Sequence, residues 1–309
     1  MKIFLAGATG AIGRPLISTL VAAGHEVFGM TTSDAGLQTL RARGAEGVIA
    51  NALDAAAVDA ALKKIRPDAV IDELTSLPKH YTPEEMRKAA PRDRKLRLEG
   101  GQNVYNAAEA AGSKRYIVQS TGFFYAPGPG LATETDSFAV DASPAVAASS
   151  RTYALIEERV FASRGMAGVA LRYGFFYGPG TYQADDGDVA NQVRQGQYPV
   201  IGAGQGIYSY VHIEDAATAT VAALDCPPGA YNIVDDCPSP LSEWLPAFAR
   251  YLNAPPPPMV SEEDALRAAG PDAVYYATRL RGASNLKAKR ELGFAPRLLA
   301  WLRHAVAAG

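Results

Sequence analysis

Lys2-Ile-Phe-Leu-Ala-Gly-Ala-Thr-Gly-Ala-Ile-Gly-Arg-Pro-Leu-Ile17 is the stretch whose reading decides the fold. Lys2–Ala6 is a short apolar run, expected as a strand. Ile12, Leu16 and Leu20 recur at helical spacing until Gly24 stops the helix. Between strand and helix stand Gly7, Gly10 and Gly13. Glycines there allow a tight turn and let backbone N–H groups approach a pyrophosphate, to which the helix N-terminus adds partial positive charge. A glycine pattern alone is weak evidence; a strand before it and a helix after it make it specific.

Working outward, further short apolar runs alternate with helical patterns. Glu26–Met30, Gly47–Ala50, Ala69–Asp72, Tyr116–Ser120 and Gly168–Tyr173 read as strands. Asp54–Ile65, a helix opened by Thr82-Pro-Glu-Glu, Val104–Ala111 and Arg151–Arg164 read as helices. This rhythm predicts an α/β fold, a Rossmann-type doubly wound parallel sheet with a smaller C-terminal substrate-binding domain. The expected division is residues 1–174, with a segment near 207–234 returning to the sheet, against 175–206 and 235–309. The six basic residues from Arg87 to Arg97 read as a solvated helix face. Residues 126–148, rich in Pro, Gly, Ala and Ser, read as a long mobile loop.

The 309 residues carry a net charge of −2, which asks for neither nucleic acid nor an anionic membrane surface. No apolar run approaches a membrane span, and the first residues do not resemble a signal peptide. Cys226 and Cys237 are too few for a disulfide scaffold or a zinc site. The expectation is a cytoplasmic protein with no metal, no nucleic-acid partner and no membrane contact, acting on a small molecule.

The spacing Gly-x-x-Gly-x-x-Gly resembles that of the short-chain dehydrogenase superfamily, and later segments resemble its extended branch, the NAD-dependent epimerase/dehydratase family. These are Ser120-Thr-Gly-Phe-Phe-Tyr125, Leu171-Arg-Tyr-Gly-Phe-Phe-Tyr-Gly-Pro-Gly180, Tyr210-Val-His-Ile-Glu-Asp215 and Leu286–Pro296. The resemblance implies a nicotinamide dinucleotide held by Gly7, Thr9, Gly10, Ala11, Ile12 and Gly13. Further along it implies Thr31, Thr32, Ser33, Asn51, Ala52, Leu53, Leu74 and Thr75, then Tyr153, Tyr173, Phe175 and Phe176. NAD-preferring relatives place an acid at the end of the second strand. Here Thr31 stands in that position, so the reading leans to NADP(H) over NAD(H). The resemblance also implies a homodimer, through helices near 92–112 and 150–164.

The family's catalytic set maps onto Thr121, as the Ser/Thr that orients substrate, and Tyr153, as the proton carrier. Its lysine, four residues after the tyrosine, is replaced by Glu157. An ammonium there favours phenolate, whereas a carboxylate keeps the phenol protonated. Glu157 is therefore expected to make Tyr153 a proton donor in a reduction. The family's diphosphate arginine is replaced by Tyr208, and Arg281 alone makes a weak clamp. Phe123, Phe124, Tyr177 and Tyr208 are expected to wall an apolar substrate pocket with Arg281, about half of the aromatics near the strand ends being ordinary core. The function expected is an NAD(P)-dependent oxidoreductase reducing a small, fairly apolar carbonyl or related unsaturated compound. The alternatives are an epimerase or dehydratase with transient oxidation, and a non-catalytic dinucleotide sensor or scaffold.

Overall fold

The computed structural model describes residues 1–302. Its first half alternates strand and helix: β1 (Lys2–Ala6), α1 (Gly13–Ala22), β2 (Glu26–Thr31), α2 (Asp34–Arg41), β3 (Glu46–Ile49), α3 (Ala55–Ile65) and β4 (Ala69–Asp72). Then come α4 (Pro83–Lys95), a five-residue π-helix (Leu96–Gly100), α5 (Gly101–Ala110), β5 (Arg115–Thr121), α6 (Pro144–Phe161) and β6 (Ala167–Tyr173). A seventh strand of the main sheet, β11 (Gly229–Ile233), arrives later. All seven are parallel, in the order β3-β2-β1-β4-β5-β6-β11.

The order follows from the residues. β1, β4, β5 and β6 are buried almost throughout, as strands covered on both faces must be. Leu16, Ile17 and Leu20 of α1 pack on one face of the sheet, and Val58 and Leu62 of α3 on the other. Chain direction across the sheet reverses between β1 and β4, and the crevice beyond those strand ends is where ligands bind in open α/β sheets. The glycine turn ends β1 at that crevice.

The remaining elements are β7 (Phe175–Tyr177), α7 (Asp188–Arg194), β8 (Val200–Ile201), β9 (Ile207–Tyr208), β10 (Tyr210–His212) and α8 (Ile213–Ala222). After β11 follow β12 (Ser239–Pro240), α9 (Leu241–Tyr251), β13 (Met259–Val260), α10 (Glu262–Ala269), α11 (Pro271–Arg279) and α12 (Leu286–Leu292). Three two-stranded pairs, β7 with β10, β9 with β12 and β8 with β13, stand near the C-terminal end of the main sheet's chain path. A third apolar cluster, built on Trp244, Phe248, Tyr210 and Trp301, underlies them.

Three local expectations are corrected. The helix of Tyr153 begins at Pro144, seven residues before the expected Arg151, because Ser143-Pro144 is a proline-first helix start. The stretch 126–143 is not loose: Ala126, Ala132 and Ala139 donate backbone hydrogen bonds to Ser137, Gly282 and Phe124. And the basic run Arg87–Arg97 is not wholly solvated, since Arg97 is 7% exposed.

Candidate active site

The glycine turn divides its work among three residues. Gly7 has φ +78°, and a Cβ there would lie 2.4 Å from the Glu73 carbonyl oxygen. A Cβ on Gly13 would lie 2.4 Å from the Gly7 oxygen. Both positions are closed by the protein itself. Gly10 is different: its nearest neighbour would be the Gly7 oxygen at 3.1 Å, and it is partly exposed. Helices α2, α3 and α4 are each capped by a side-chain oxygen, from Ser33, Asp54 and Thr82, but α1 has no side-chain cap. Uncapped first-turn amides beside an open glycine fit a dinucleotide pyrophosphate.

Around this turn Thr9 is exposed, Ala11 half-buried and Ile12 buried. At the end of β2, Thr31 is buried, its Oγ1 lying so close to Gly36 that a Cβ there could not fit. Thr32 and Ser33 are exposed, and the Ser33 oxygen accepts the Gly36 N–H. No carboxylate takes the place of Thr31. Asn51 folds onto its own turn by accepting the Leu53 N–H, leaving Leu53 40% exposed, while Ala52 is buried. Leu74 is buried with its N–H held by Asp72, and Thr75 is half-buried.

Thr121 ends β5. It is 1% exposed and its Oγ1 has no hydrogen-bond partner among the described residues. Tyr153 lies on α6, which packs on β5 and β6, with its ring tilted against Phe124 at 6.4 Å. Burial raises this phenol above its ordinary value; Arg97 pulls it down, and Asp93 and Glu73 push it up.

The expectation that Glu157 acts on the phenol is corrected. Its carboxylate accepts two hydrogen bonds from Arg172, Nε to Oε1 at 2.8 Å and Nη2 to Oε2 at 2.6 Å. Ser120 donates a third, at 2.6 Å. Glu157 thus fastens α6 to β5 and β6. The charge that faces Tyr153 is Arg97, whose Cζ lies 5.1 Å from the ring centroid. Reading the basic run as a solvated face hid this residue. A second residue missed is Glu73, just after β4. It is 2% exposed, accepts a 3.1 Å hydrogen bond from the Tyr173 hydroxyl and has no partner at Oε2. Burial pushes its carboxyl up to about 8. Tyr173 also shares a 2.6 Å hydrogen bond with Thr220, so its hydroxyl is engaged below the strand ends. The available signal was an acidic pair closing a fully apolar strand.

The aromatic side chains do gather. Phe123 stacks on Phe175 at 4.1 Å and meets Phe124 edge-on at 4.6 Å. Phe175 touches Tyr208, and Phe176 leans on Tyr173. Phe124, Phe175, Tyr177 and Tyr208 are nonetheless at most 9% exposed, so more of this set is core than the expected half. Tyr276 of α11, not singled out in the sequence, meets Phe124 edge-on and is partly exposed. Arg281 is corrected as a pocket residue. It donates to Asp136 at 3.0 Å and to the carbonyls of Ala126, Pro129 and Gly130, and so binds a loop rather than a ligand. Tyr125 is buried against Arg172 and Asn232 and raised to about 12 by that burial.

Residues 3–233 match the NAD dependent epimerase/dehydratase family. The chain belongs to that family. It is an NAD-dependent oxidoreductase-type enzyme with the parallel Rossmann sheet its glycine turn implied. It is 40% identical over 305 residues to a 3-diazoavenalumate denitrifying reductase of Streptomyces sp, covering 97% of this chain and 98% of that protein. It is 27% identical over 268 residues to a 2-alkyl-3-oxoalkanoate reductase of Stenotrophomonas maltophilia, covering 82% of this chain and 77% of that one. Among solved structures, the UDP-glucose 4-epimerase of Thermotoga maritima with UDP-glucose superposes with a TM-score of 0.75 at 18% identity, covering 99% of this chain and all of that one. The UDP-glucose 4-epimerase of Thermus thermophilus with NAD gives 0.72 at 24% identity, covering 97% and 95%. These two likenesses speak for the fold.

Proposed function

We propose that this enzyme reduces a small, fairly apolar, unsaturated acceptor at the expense of NADPH or NADH, with Thr121 orienting the acceptor and Tyr153 donating the proton. The observation that carries this reading is the pairing of an orphaned, buried Thr121 hydroxyl with a phenol that burial keeps protonated. A protonated phenol suits proton donation better than abstraction from an alcohol. Bound reduced nicotinamide supplies a hydride. The names of the two relatives suggest the acceptor classes to try first, a diazo compound and a ketone one carbon removed from a carboxylate. The engaged Arg281, and Tyr208 where a diphosphate arginine would stand, argue against a nucleotide sugar.

NADPH is the proposed preference, supported by Thr31 where an acid would repel a 2′-phosphate. Residues 175–206 and 235–309 are proposed as the substrate-binding part. A homodimer through α5 and α6 is supported by Leu155 and Phe161, which are 49% and 44% exposed on α6. No helix among the described residues is long and apolar enough to cross a membrane, and both cysteines are free thiols. A cytoplasmic setting fits those thiols.

The test is consumption of each reduced nicotinamide with a panel of aryl diazo compounds, 3-oxo acids and simple ketones. Turnover with one class, abolished by Tyr153→Phe, supports the reading. Tight cofactor binding without turnover on any member would favour a sensor, and solvent isotope exchange at a carbinol without net oxidation would favour an epimerase.

A further inference from the structure

We propose that Arg97 is the cation that tunes Tyr153, entering from a different helix to do what the family's lysine does from the tyrosine's own. The inference rests on the reading of Tyr153 as proton donor and names the residue that controls it.

The geometry is built for one purpose at a time. α4 leads into the π-helix Leu96–Gly100, where Arg97 continues the inward line of buried Ala89 and half-buried Asp93 at four-residue spacing, away from the exposed basic side chains before it. The guanidinium is then fixed from two sides. Nε donates to Asp93 at 2.7 Å, and Nη1 donates to Gln119 of β5 at 3.1 Å. So held, it lies over the Tyr153 ring, within the range at which cations are attracted by an aromatic face. The other candidate at the lysine position, Glu157, is neutralised by Arg172. The charged and titratable groups facing Tyr153 are therefore Arg97 from the π-helix, Asp93 from α4, Glu73 after β4 and Tyr276 from α11. Arg97 is the cation of that set.

When Tyr153 gives its proton to the acceptor atom, whose π electrons take it up, the phenol becomes phenolate. A bound reduced nicotinamide would supply the hydride and its two electrons, so the acceptor would gain H⁻ and H⁺ in balance. The fixed guanidinium stabilises the phenolate until water returns the proton. Arginine differs from lysine here in a way that matters: it stays charged at every working pH and relays no proton. Its burial also keeps it from reaching a ribose.

The test reads the phenol directly. 3,5-Difluorotyrosine is placed at position 153, and its ionisation is followed by ¹⁹F NMR against pH, without cofactor. In Arg97→Gln the midpoint should rise by about one to three pH units, the usual effect of one close opposite charge. Arg97→Lys should keep most of the native midpoint. Should Arg97→Gln fail to fold, Gln119→Leu serves: it removes a neutral anchor of the guanidinium and no charge, and should raise the midpoint. An unmoved midpoint in Arg97→Gln, with Tyr153→Phe inactive, overturns the Arg97 proposal and leaves the proposed function standing. A moved midpoint with Tyr153→Phe fully active overturns the role of Tyr153, and the proposal with it. Moved midpoints together with an inactive Tyr153→Phe support both.

Discussion

Replacing Glu157 with glutamine probes the buried ion pair that ties α6 to β6. The side chains of Arg172 and Glu157 are 7% and 6% exposed, and the carboxylate accepts three hydrogen bonds from Arg172 and Ser120. Removing one partner of such a pair leaves an uncompensated buried charge, at a cost of about 3–5 kcal/mol. Glutamine keeps one acceptor oxygen, and Arg172 retains the Tyr125 hydroxyl and the Glu134 carbonyl. The expected loss is therefore near the lower end, about 3 kcal/mol. For a chain of this size that corresponds to a fall in melting temperature on the order of 6 °C. Denaturant unfolding of Glu157→Gln beside the native protein measures it. Glu157→Met with Arg172→Met should recover much of the loss, because both charges leave together. A stability within about 0.5 kcal/mol of native in the single variant, the ordinary range for surface substitutions, would refute the pairing as a structural tie. Glu157→Lys would strip Arg172 of its partner as well as adding an ammonium.

Glu73 should make stability fall with rising pH. Its carboxyl is held up to about 8 in the folded chain against 4.5 ordinarily, so between those values the folded state binds the extra proton. Its stabilising contribution is complete below about 4.5 and is lost as pH climbs toward 8; from 4.5 to 7 the drop is about 3 kcal/mol. Urea midpoints of Glu73→Gln should lose that slope, and parallel profiles would contradict it. Gly10→Leu should abolish dinucleotide binding, read by nicotinamide fluorescence, with the melting temperature nearly unchanged. Gly13→Ala should instead destabilise by about 1–3 kcal/mol through overpacking against the Gly7 oxygen. Thr31→Asp should weaken NADPH more than NADH in calorimetry; tighter NADH binding by the native protein would reverse the proposed preference.

The sheet was legible because its signals are local: apolar runs of strand length, glycines at a turn, Thr82-Pro as a helix start. The proposed proton-transfer site was legible only as positions. Thr121 and Tyr153 could be placed by spacing, but what surrounds them could not. Glu157 points to Arg172, fifteen residues away on a strand, and nothing in helical spacing distinguishes that from the neighbouring phenol. Arg97 was concealed by the charge run it closes, although it falls four residues after half-buried Asp93 and eight after buried Ala89, on the helix's inward face. Arg281 was legible as an arginine and illegible as a tie, because its acceptors, the Asp136 carboxylate and loop carbonyls, lie 145–155 residues upstream.

That last separation bears on the order in which the molecule is made. A chain emerging N-terminus first can pair β1 to β6 once residue 173 is available. The segment 126–136, however, has its anchor in Arg281, and its bridge partner in Ala283, more than a hundred residues further on. During synthesis this border of the candidate active site is therefore expected to be only partly fastened, held at Glu134 by Arg172 of β6, until Arg281 and Ala283 dock. A ribosome-stalled chain ending before residue 281 should accordingly hold a dinucleotide-sized crevice while exposing 126–136 to protease, and release of the full chain should end that exposure.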